Sequence, residues 1–581
     1  MLLTLLNGLA CSGYQSALSE LCVRAEAAPY SDEQMPLALV LLSAWGVLRL
    51  SYINDQPVES WGLPLDSRRR PDADTLDHYL QALIELDEVD SPTSAAERLG
   101  QIRPDGLIDR AQQASLQGWV AAGLLGGEVW YFDDHVVQYT GQAALGKTKH
   151  GTKHLSVKAV TRYTLHNGLC SLSEYFPLPV SYAEAMRHLV TKANACLPPA
   201  DRIRKLAFDR AGWDAALLTW LHDEQQIIPI TWVKRTSANV KLLGAVSDEE
   251  FVALERPAPI GKDGQHQVVR VADTSLAFPH LGYQRVVILE TQASKRIGIY
   301  TTALHPRQAA LDDQRAMTTI GLIDAMRFKQ RIENSFKLDK HEMESDAIPT
   351  HKTYTATLVE KYDLAQAQRD LSNAERRQEK YTVQEEQQQQ LSQNEPLNQH
   401  QLKLLNQRTQ RLRQKAERQI ETLSEQLAQV QRDRTGQTVL TTTTQVLDAR
   451  KLTLLNLFKS HARVALKLLA GRLGLQEAGP NRLRRAFLAF GDRVEFDHDK
   501  QIATVYARPF PRAQTQQAAR LSSPQAYERL CYVLADVPIM LTRNGVSYRV
   551  LFSWYGAYIR IRKQYFLCVF HLTGNLYVSE I

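Results

Sequence analysis

Three places in the 581-residue chain carry carboxylates that could do chemistry together if the fold brings them to one point. In "WYFDDHV", Asp133 and Asp134 interrupt an otherwise apolar, strand-like run. In "KLAFDRAG", Asp209 closes a short apolar strand. An unpaired charge in such a run is costly, so it is either capped by a turn or held for a cation. For Asp209 a turn cap ahead of Gly212 is the plain alternative. The third place is "RIENSFKLDKHEME", residues 331–344, whose helical pattern sets Glu333, Lys337 and Lys340 on one face at i, i+4 and i+7. Standing alone, that trio reads as a solvated face. If the three acidic segments meet, their oxygens suit hard divalent cations. Two such ions about 4 Å apart can activate a nucleophile and stabilise a leaving 3′ oxygen in phosphoryl transfer. Basic side chains beside the cage would draw a scissile phosphate to an otherwise anionic site.

The elements that must position these residues follow from the chain's texture. From Glu128, "EVWYFDDHVVQY", "HLSVKAVTRYTLH" and "GLCSLSEYFPLPV" read as three strands rich in β-branched and aromatic residues. "SYAEAMRHLVTKANACL" is helical, "RKLAFDRAGWDAALLTWLHDE" is a strand, a turn and a helix, and "QQIIPITWVKR" is a further strand. The order β-β-β-α-β-α-β predicts an α/β domain with a mixed sheet. In that order the first and fourth strands lie side by side, making Asp133 and Asp209 neighbours at one edge, which a later helix bearing Glu333 can cross. Residues 236–315 read as a largely β insertion with a hairpin in "QRVVILETQASKRIGIYTT" and a Gly/Pro-rich part in "RPAPIGKDGQH".

Around this core, residues 1–122 read as mostly helical. The apolar run "PLALVLLSAWGVL" is shorter than the roughly 18–20 residues needed to span a bilayer and reads as a buried helix. In "SRRRPDADTLDHYLQALIELDEV", Arg68, Arg69 and Arg70 precede Pro71, and Asp74 is placed to cap a helix with Leu76, Leu80 and Ile84 on one face. That piece is either part of a helix-turn-helix or an ordinary helix with a basic lead-in. Residues 351–436 are Gln-rich, with Leu364, Leu371, Ala374 and Tyr381, then Leu402, Leu405, Leu412, Ala416, Leu423 and Val430, at approximate coiled-coil spacing. Pro396 between the two runs predicts a break and a helical hairpin, with an intermolecular coiled coil as the alternative. Residues 437–581 form an α+β tail. The length allows about three or four domains. The net charge of +6 permits a polyanionic partner without demanding one. The six cysteines form no CxxC pair, which argues against a zinc knuckle or a disulfide framework and fits a reducing cytoplasm.

Three segments, "YFDDHVVQYTG", "LAFDRAGWD" and "RFKQRIENSFKLDKHEMESDAI", in this order and at wide spacing, resemble the DDE transposases of bacterial insertion sequences. The likeness covers residues 125–345. It implies an RNase H-like catalytic core over 123–235 and 316–350, with the β insertion at 236–315 between them. It implies Asp133, Asp209 and Glu333 as catalytic residues and ligands of two Mg²⁺ ions, with Mn²⁺ able to substitute. Family members with such an insertion often carry Tyr-x2-Arg-x3-Glu-x6-Lys. Here Glu333 and Lys340 keep the last part, while Lys329 stands in the Arg position and Met326 in the Tyr position. Lys329, Lys337 and Lys340 are therefore the candidate DNA contacts. The family's Asp-Gly-His register selects Asp133 and leaves Asp134 in the Gly position. Asp134, His135 and Arg210 are secondary candidates, and a histidine beside a strand terminus is more often structural. The resemblance implies binding of double-stranded DNA, both element ends and target, in a homodimer or higher oligomer without a membrane, in a prokaryotic cytoplasm at the nucleoid. The competing expectations are an RNase H-like nuclease that does not join strands and a non-catalytic DNA-binding coiled-coil protein.

Overall fold

The structure is a computed structural model that describes residues 9, 14, 19–21, 30–31, 33–45, 50–55, 70–87, 105–125, 127–142, 145, 147–150, 155–177, 180–260, 266–309, 313–329, 353–394, 399–432, 437–472, 493–507, 540–543, 546–554, 558–561, 564–570 and 576–580. Near the N-terminus the uninterrupted apolar run forms α1 (Gln34–Trp45), with Met35, Ala38, Leu39, Val40, Leu41, Leu42 and Ala44 all buried. A helix this apolar on every side belongs inside a core. Helix α2 (Ala73–Leu86) buries the expected stripe of Leu76, Leu80 and Ile84, and adds Leu83. Its cap is Asp72 rather than Asp74. The Asp72 backbone is extended, so its Oδ1 can accept the Thr75 amide proton at 2.7 Å, whereas Asp74 already lies in the first turn. Of the basic lead-in, Arg70 donates to the Asn54 carbonyl at 2.7 Å; Arg68 and Arg69 lie outside the described residues. Helix α3 (Leu107–Ala121) follows.

The main unit is built on a mixed sheet of ten strands. They are β1 (Trp130–Gln138), β2 (Lys147–His150), β3 (Leu155–Asn167), β4 (Leu169–Pro177), β5 (Lys205–Phe208), β6 (Ile228–Trp232), β7 (Val252–Ile260), β8 (His266–Phe278), β9 (Gly282–Thr291) and β10 (Arg296–Thr301). The order runs β2-β3-β1-β5-β6-β10-β9-β8-β7, with β4 also paired to β3. β1, β5 and β6 are parallel, while β3 and β10 are antiparallel to their neighbours among these three. Helix α4 (Tyr182–Cys196) links β4 to β5, and α5 (Ala215–Thr219) lies between β5 and β6. Alternation divides the sheet's two faces. Phe132 and Phe208 join the core that contains Met186, Leu189 and Leu217, whereas Tyr131 and Ala207 join the opposite core. The opposite face is covered by α7 (residues 319–329), reached after α6 (Ser237–Gly244), through Leu322, Ile323 and Met326.

Residues 353–446 make a second compact unit. It holds β11 (Thr353–Asp363) paired with β12 (Gln437–Leu447), and between them α8 (Leu364–Asn394) and α9 (Gln399–Arg432). Ala374 and Ala416 of the expected seam are buried, but Leu412 is exposed, and Thr409 is buried instead, donating to Gln388 Oε1 at 3.1 Å. The pairing is intramolecular for these two helices, with Arg413 on Glu385 at 2.8 Å. Pro396 lies outside the described residues. Within the main unit, α10 (Arg450–Arg472) shares one core with α1 and α2 through Leu454, Leu457, Phe458 and Leu466. The strands β13 (Arg493–Asp497), β14 (Ile502–Ala507), β15 (Met540–Arg543) and β16 (Val546–Trp554) form a sheet whose Ala503, Tyr548 and Val550 enter the same core. A third sheet contains β17 (Tyr558–Ile561), β18 (Gln564–Phe570) and β19 (Leu576–Glu580). Among the described residues no helix is long and apolar enough to cross a membrane.

Candidate active site

The carboxyl ends of β1 and β5 bring two of the three predicted acidic positions together. Their parallel register pairs Tyr131 with Ala207 and Phe132 with Phe208, so Asp133 and Asp209 are the next residues on adjacent strands. Asp209 is still extended (φ −78°, ψ 165°), so alternation continues through it and assigns it to the same face as Ala207. Asp133 takes the same face by the same rule, and Asp134 the opposite one. Asp133 is only 6% exposed and meets Lys329 of α7, whose Nζ donates to its Oδ1 at 3.2 Å. Phe328, the preceding residue, sets its ring 5.4 Å from that of Tyr131.

Asp209 is also a turn cap. Its Oδ1 accepts the Arg210 amide proton at 2.7 Å at the start of a 3₁₀ turn over Arg210–Gly212. The capping reading and the chemical reading are compatible, since a carboxylate can accept more than one bond. The Arg210 guanidinium stays 4.0 Å from that oxygen and is largely exposed. Asp134 is half-buried. Burial pushes its carboxyl up, Lys329 pulls it down, and the negative charge of Asp209 pushes it up again, with a net rise. His135 is half-buried and opposes Arg162 in the β1–β3 ladder.

Two residues that the sequence does not announce hold this geometry. The Tyr182 hydroxyl, at the first position of α4, donates to the Phe132 carbonyl at 3.2 Å, and its ring stands edge-on to Phe132 at 5.0 Å. Burial raises the Tyr182 hydroxyl well above the ordinary tyrosine range, and the charges of Asp133, Asp134 and Asp209 all add to the rise. The second is Gly212. A Cβ there would lie 2.6 Å from Phe208 Cδ2 and 2.9 Å from Tyr182 Cε1. The one available signal was the "SYAE" capping box, in which Ser181 and Glu184 fix the start of α4 and hence the place of Tyr182. Lys234 and Arg235, exposed just after β6, stand on the same strand-end edge.

Lys329, expected to contact a DNA backbone, is instead 3% exposed, with its ammonium on Asp133. The reason is electrostatic: a buried carboxylate needs a counter-charge, and the lysine stem is long enough to deliver one. Met326, in the Tyr position of the family pattern, is buried in the core beneath α7. Glu333, Lys337 and Lys340 lie outside the described residues. Among the described residues no three His, Cys, Asp or Glu side chains group as metal ligands. The described part does place carboxylate oxygens, the donor type that hard cations take, at adjacent strand ends, with a cationic group drawn onto Asp133. A cavity of about 330 Å³, lined by Glu128, Asn167, Arg202 and Arg204, opens where β1 and β5 begin and is thus at the other end of the sheet.

No family model matches the chain, and no curated protein matches it. Among solved structures, a cryo-EM structure of a piggyBac transposase synaptic complex with hairpin DNA is similar over 58% of this chain at 8% identity and a TM-score of 0.31. The match spans 66% of that chain, just under two thirds. A score this low does not establish a common fold.

Proposed function

We propose that the protein is a DDE transposase with an RNase H-like core, which binds the ends of its element and catalyses divalent-metal-dependent DNA cleavage and strand transfer. The observation that carries this reading is the parallel β1–β5 register, which makes Asp133 and Asp209 neighbours at one sheet edge. The order β4-β3-β1-β5-β6, with β1, β5 and β6 parallel, supports the RNase H-like assignment. In this reading Asp133, Asp209 and Glu333 hold Mg²⁺, with Mn²⁺ able to substitute, and the bound ions supply the charge that activates a nucleophile and stabilises a leaving 3′ oxygen. Glu333 follows Lys329 by four residues, one helical turn in sequence spacing. Tyr182 ties α4 to the end of β1 and keeps the aspartate edge in place. Lys337 and Lys340 bind the DNA backbone beside the acidic edge, and the exposed Lys234 and Arg235 add positive charge to it. The partners are double-stranded DNA, at element ends and target, and further copies of the chain in a synaptic complex.

The test uses duplexes carrying the DNA that flanks the coding region, pre-cut at the inverted repeat, incubated with the protein, Mg²⁺ and a plasmid. Joined product is expected. A parallel incubation uses the same duplex left uncut: its cleavage, with no joining from either duplex, would assign the site to a nuclease, and neither product would leave a non-catalytic DNA-binding role.

A further inference from the structure

Lys329 occupies a position that a DNA-contacting residue has no need of. It is 3% exposed, and its ammonium lies 3.2 Å from a carboxylate oxygen that is itself buried. Its backbone is anchored, since α7 is seated on the sheet by Leu322, Ile323 and Met326 and by the Phe328–Tyr131 ring contact. Any movement of the ammonium would therefore come from rotation of the four-carbon stem. The positive charge also reaches Asp134, where it opposes the upward push of burial and of Asp209. Lys329 thus lies within reach of both Asp133 and Asp134, on an edge that also carries Asp209.

We infer that Lys329 is the resident counter-ion of Asp133 and exchanges with a divalent cation at that carboxylate. Without metal the ammonium neutralises Asp133. With metal, the carboxylate oxygen turns to the ion, and the lysine withdraws to the remaining negative charge around it. The inference rests on the carboxylate-site reading given above. Its consequence is that the lysine competes with the metal, so its removal increases metal dependence. A residue that served only to contact DNA would not have that effect.

The test is thermal unfolding of the full-length chain, without DNA, across a Mn²⁺ titration. It compares wild type, Lys329→Met, Lys329→Gln and Lys329→Arg. Lys329→Met is expected to melt lower without metal, because the buried Asp133 carboxylate then loses the Lys329 ammonium. It should gain more melting temperature from Mn²⁺ than wild type and reach half-effect at a several-fold lower concentration. Lys329→Gln, which can still hydrogen-bond Asp133, should show the same direction if Lys329→Met does not fold. Lys329→Arg, which keeps the charge, should respond no more strongly than wild type. Neutral variants that respond to Mn²⁺ no more than wild type would overturn the exchange and leave an ordinary structural ion pair. Absence of any Mn²⁺ response in wild type and neutral variants alike would overturn the carboxylate-site reading itself, and this inference with it.

Discussion

Single side chains decide where Asp209 stands. The turn that follows it passes so close to Phe208 and Tyr182 that only a hydrogen fits on Gly212. Tyr182 packs against Phe132 and Tyr163, and Phe208 is fully buried in the same core, so neither yields freely. Gly212→Ala should therefore shift the turn, at a cost of about 1–3 kcal/mol for overpacking, and should lower divalent-dependent cleavage further than its loss of stability accounts for. Tyr182→Phe keeps the ring and should lose only about 1 kcal/mol for the hydrogen bond. Urea unfolding alongside cleavage rates checks both, and a Gly212→Ala variant with wild-type stability and rate would refute the packing argument. At this scale the sequence was partly legible. Carboxylates in apolar runs stand out, and strand alternation puts Asp133 on the face of Asp209, where it meets α7. Tyr182 and Gly212 were not legible, because their contact joins residues 30 positions apart and neither type is unusual in its own segment.

Among the elements, α3 and α4 are tied to the sheet by a buried ionic cluster. Lys192 Nζ donates to Glu174 at 2.7 Å and to Gln112 at 2.5 Å, and it also pairs with Asp109; His188 Nε2 lies 3.1 Å from Glu174. Burial pushes the Glu174 carboxyl up, but Lys192 and His188 outweigh it and bring it down to about 2. Lys192→Met would take the ammonium away from two buried carboxylates and should cost about 3–5 kcal/mol. Glu174→Gln leaves the Lys192–Asp109 pair and should cost less. The midpoints of urea unfolding measure this, and a Glu174→Gln variant at least as unstable as Lys192→Met would contradict it. Strand and helix identities here were legible from periodicity. The misses have physical reasons. β2 is "KTKH", which carries no apolar signal. β7 contains Pro257 and Pro259, which argue against an interior strand, and it lies at the end of the sheet order, where proline is tolerated. The α8–α9 seam departs from Leu spacing because Thr409 is buried where Leu412 is not.

On the scale of the whole molecule, the acidic edge is built on a sheet whose two faces are both covered, so its aspartates are set by a rigid frame. The joining of α10 to α1 and α2 in one core was not legible, since helices apolar over much of their surface do not name their partners. Affinity for DNA, in the proposed reading, comes from basic groups spread over the chain, whereas the chemistry depends on a few carboxylates. The two should therefore separate under mutation. The most direct measurement is Mg²⁺-dependent cleavage of end DNA by Asp133→Ala, Asp134→Ala, Asp209→Ala and Glu333→Ala, with end binding recorded in parallel. Asp133→Ala, Asp209→Ala and Glu333→Ala should bind ends nearly as wild type does and cleave only at background, while Asp134→Ala should still cleave. An active Asp133→Ala beside an inactive Asp134→Ala would contradict the assigned ligand, and cleavage retained by Asp133→Ala, Asp209→Ala and Glu333→Ala alike would contradict the carboxylate site altogether.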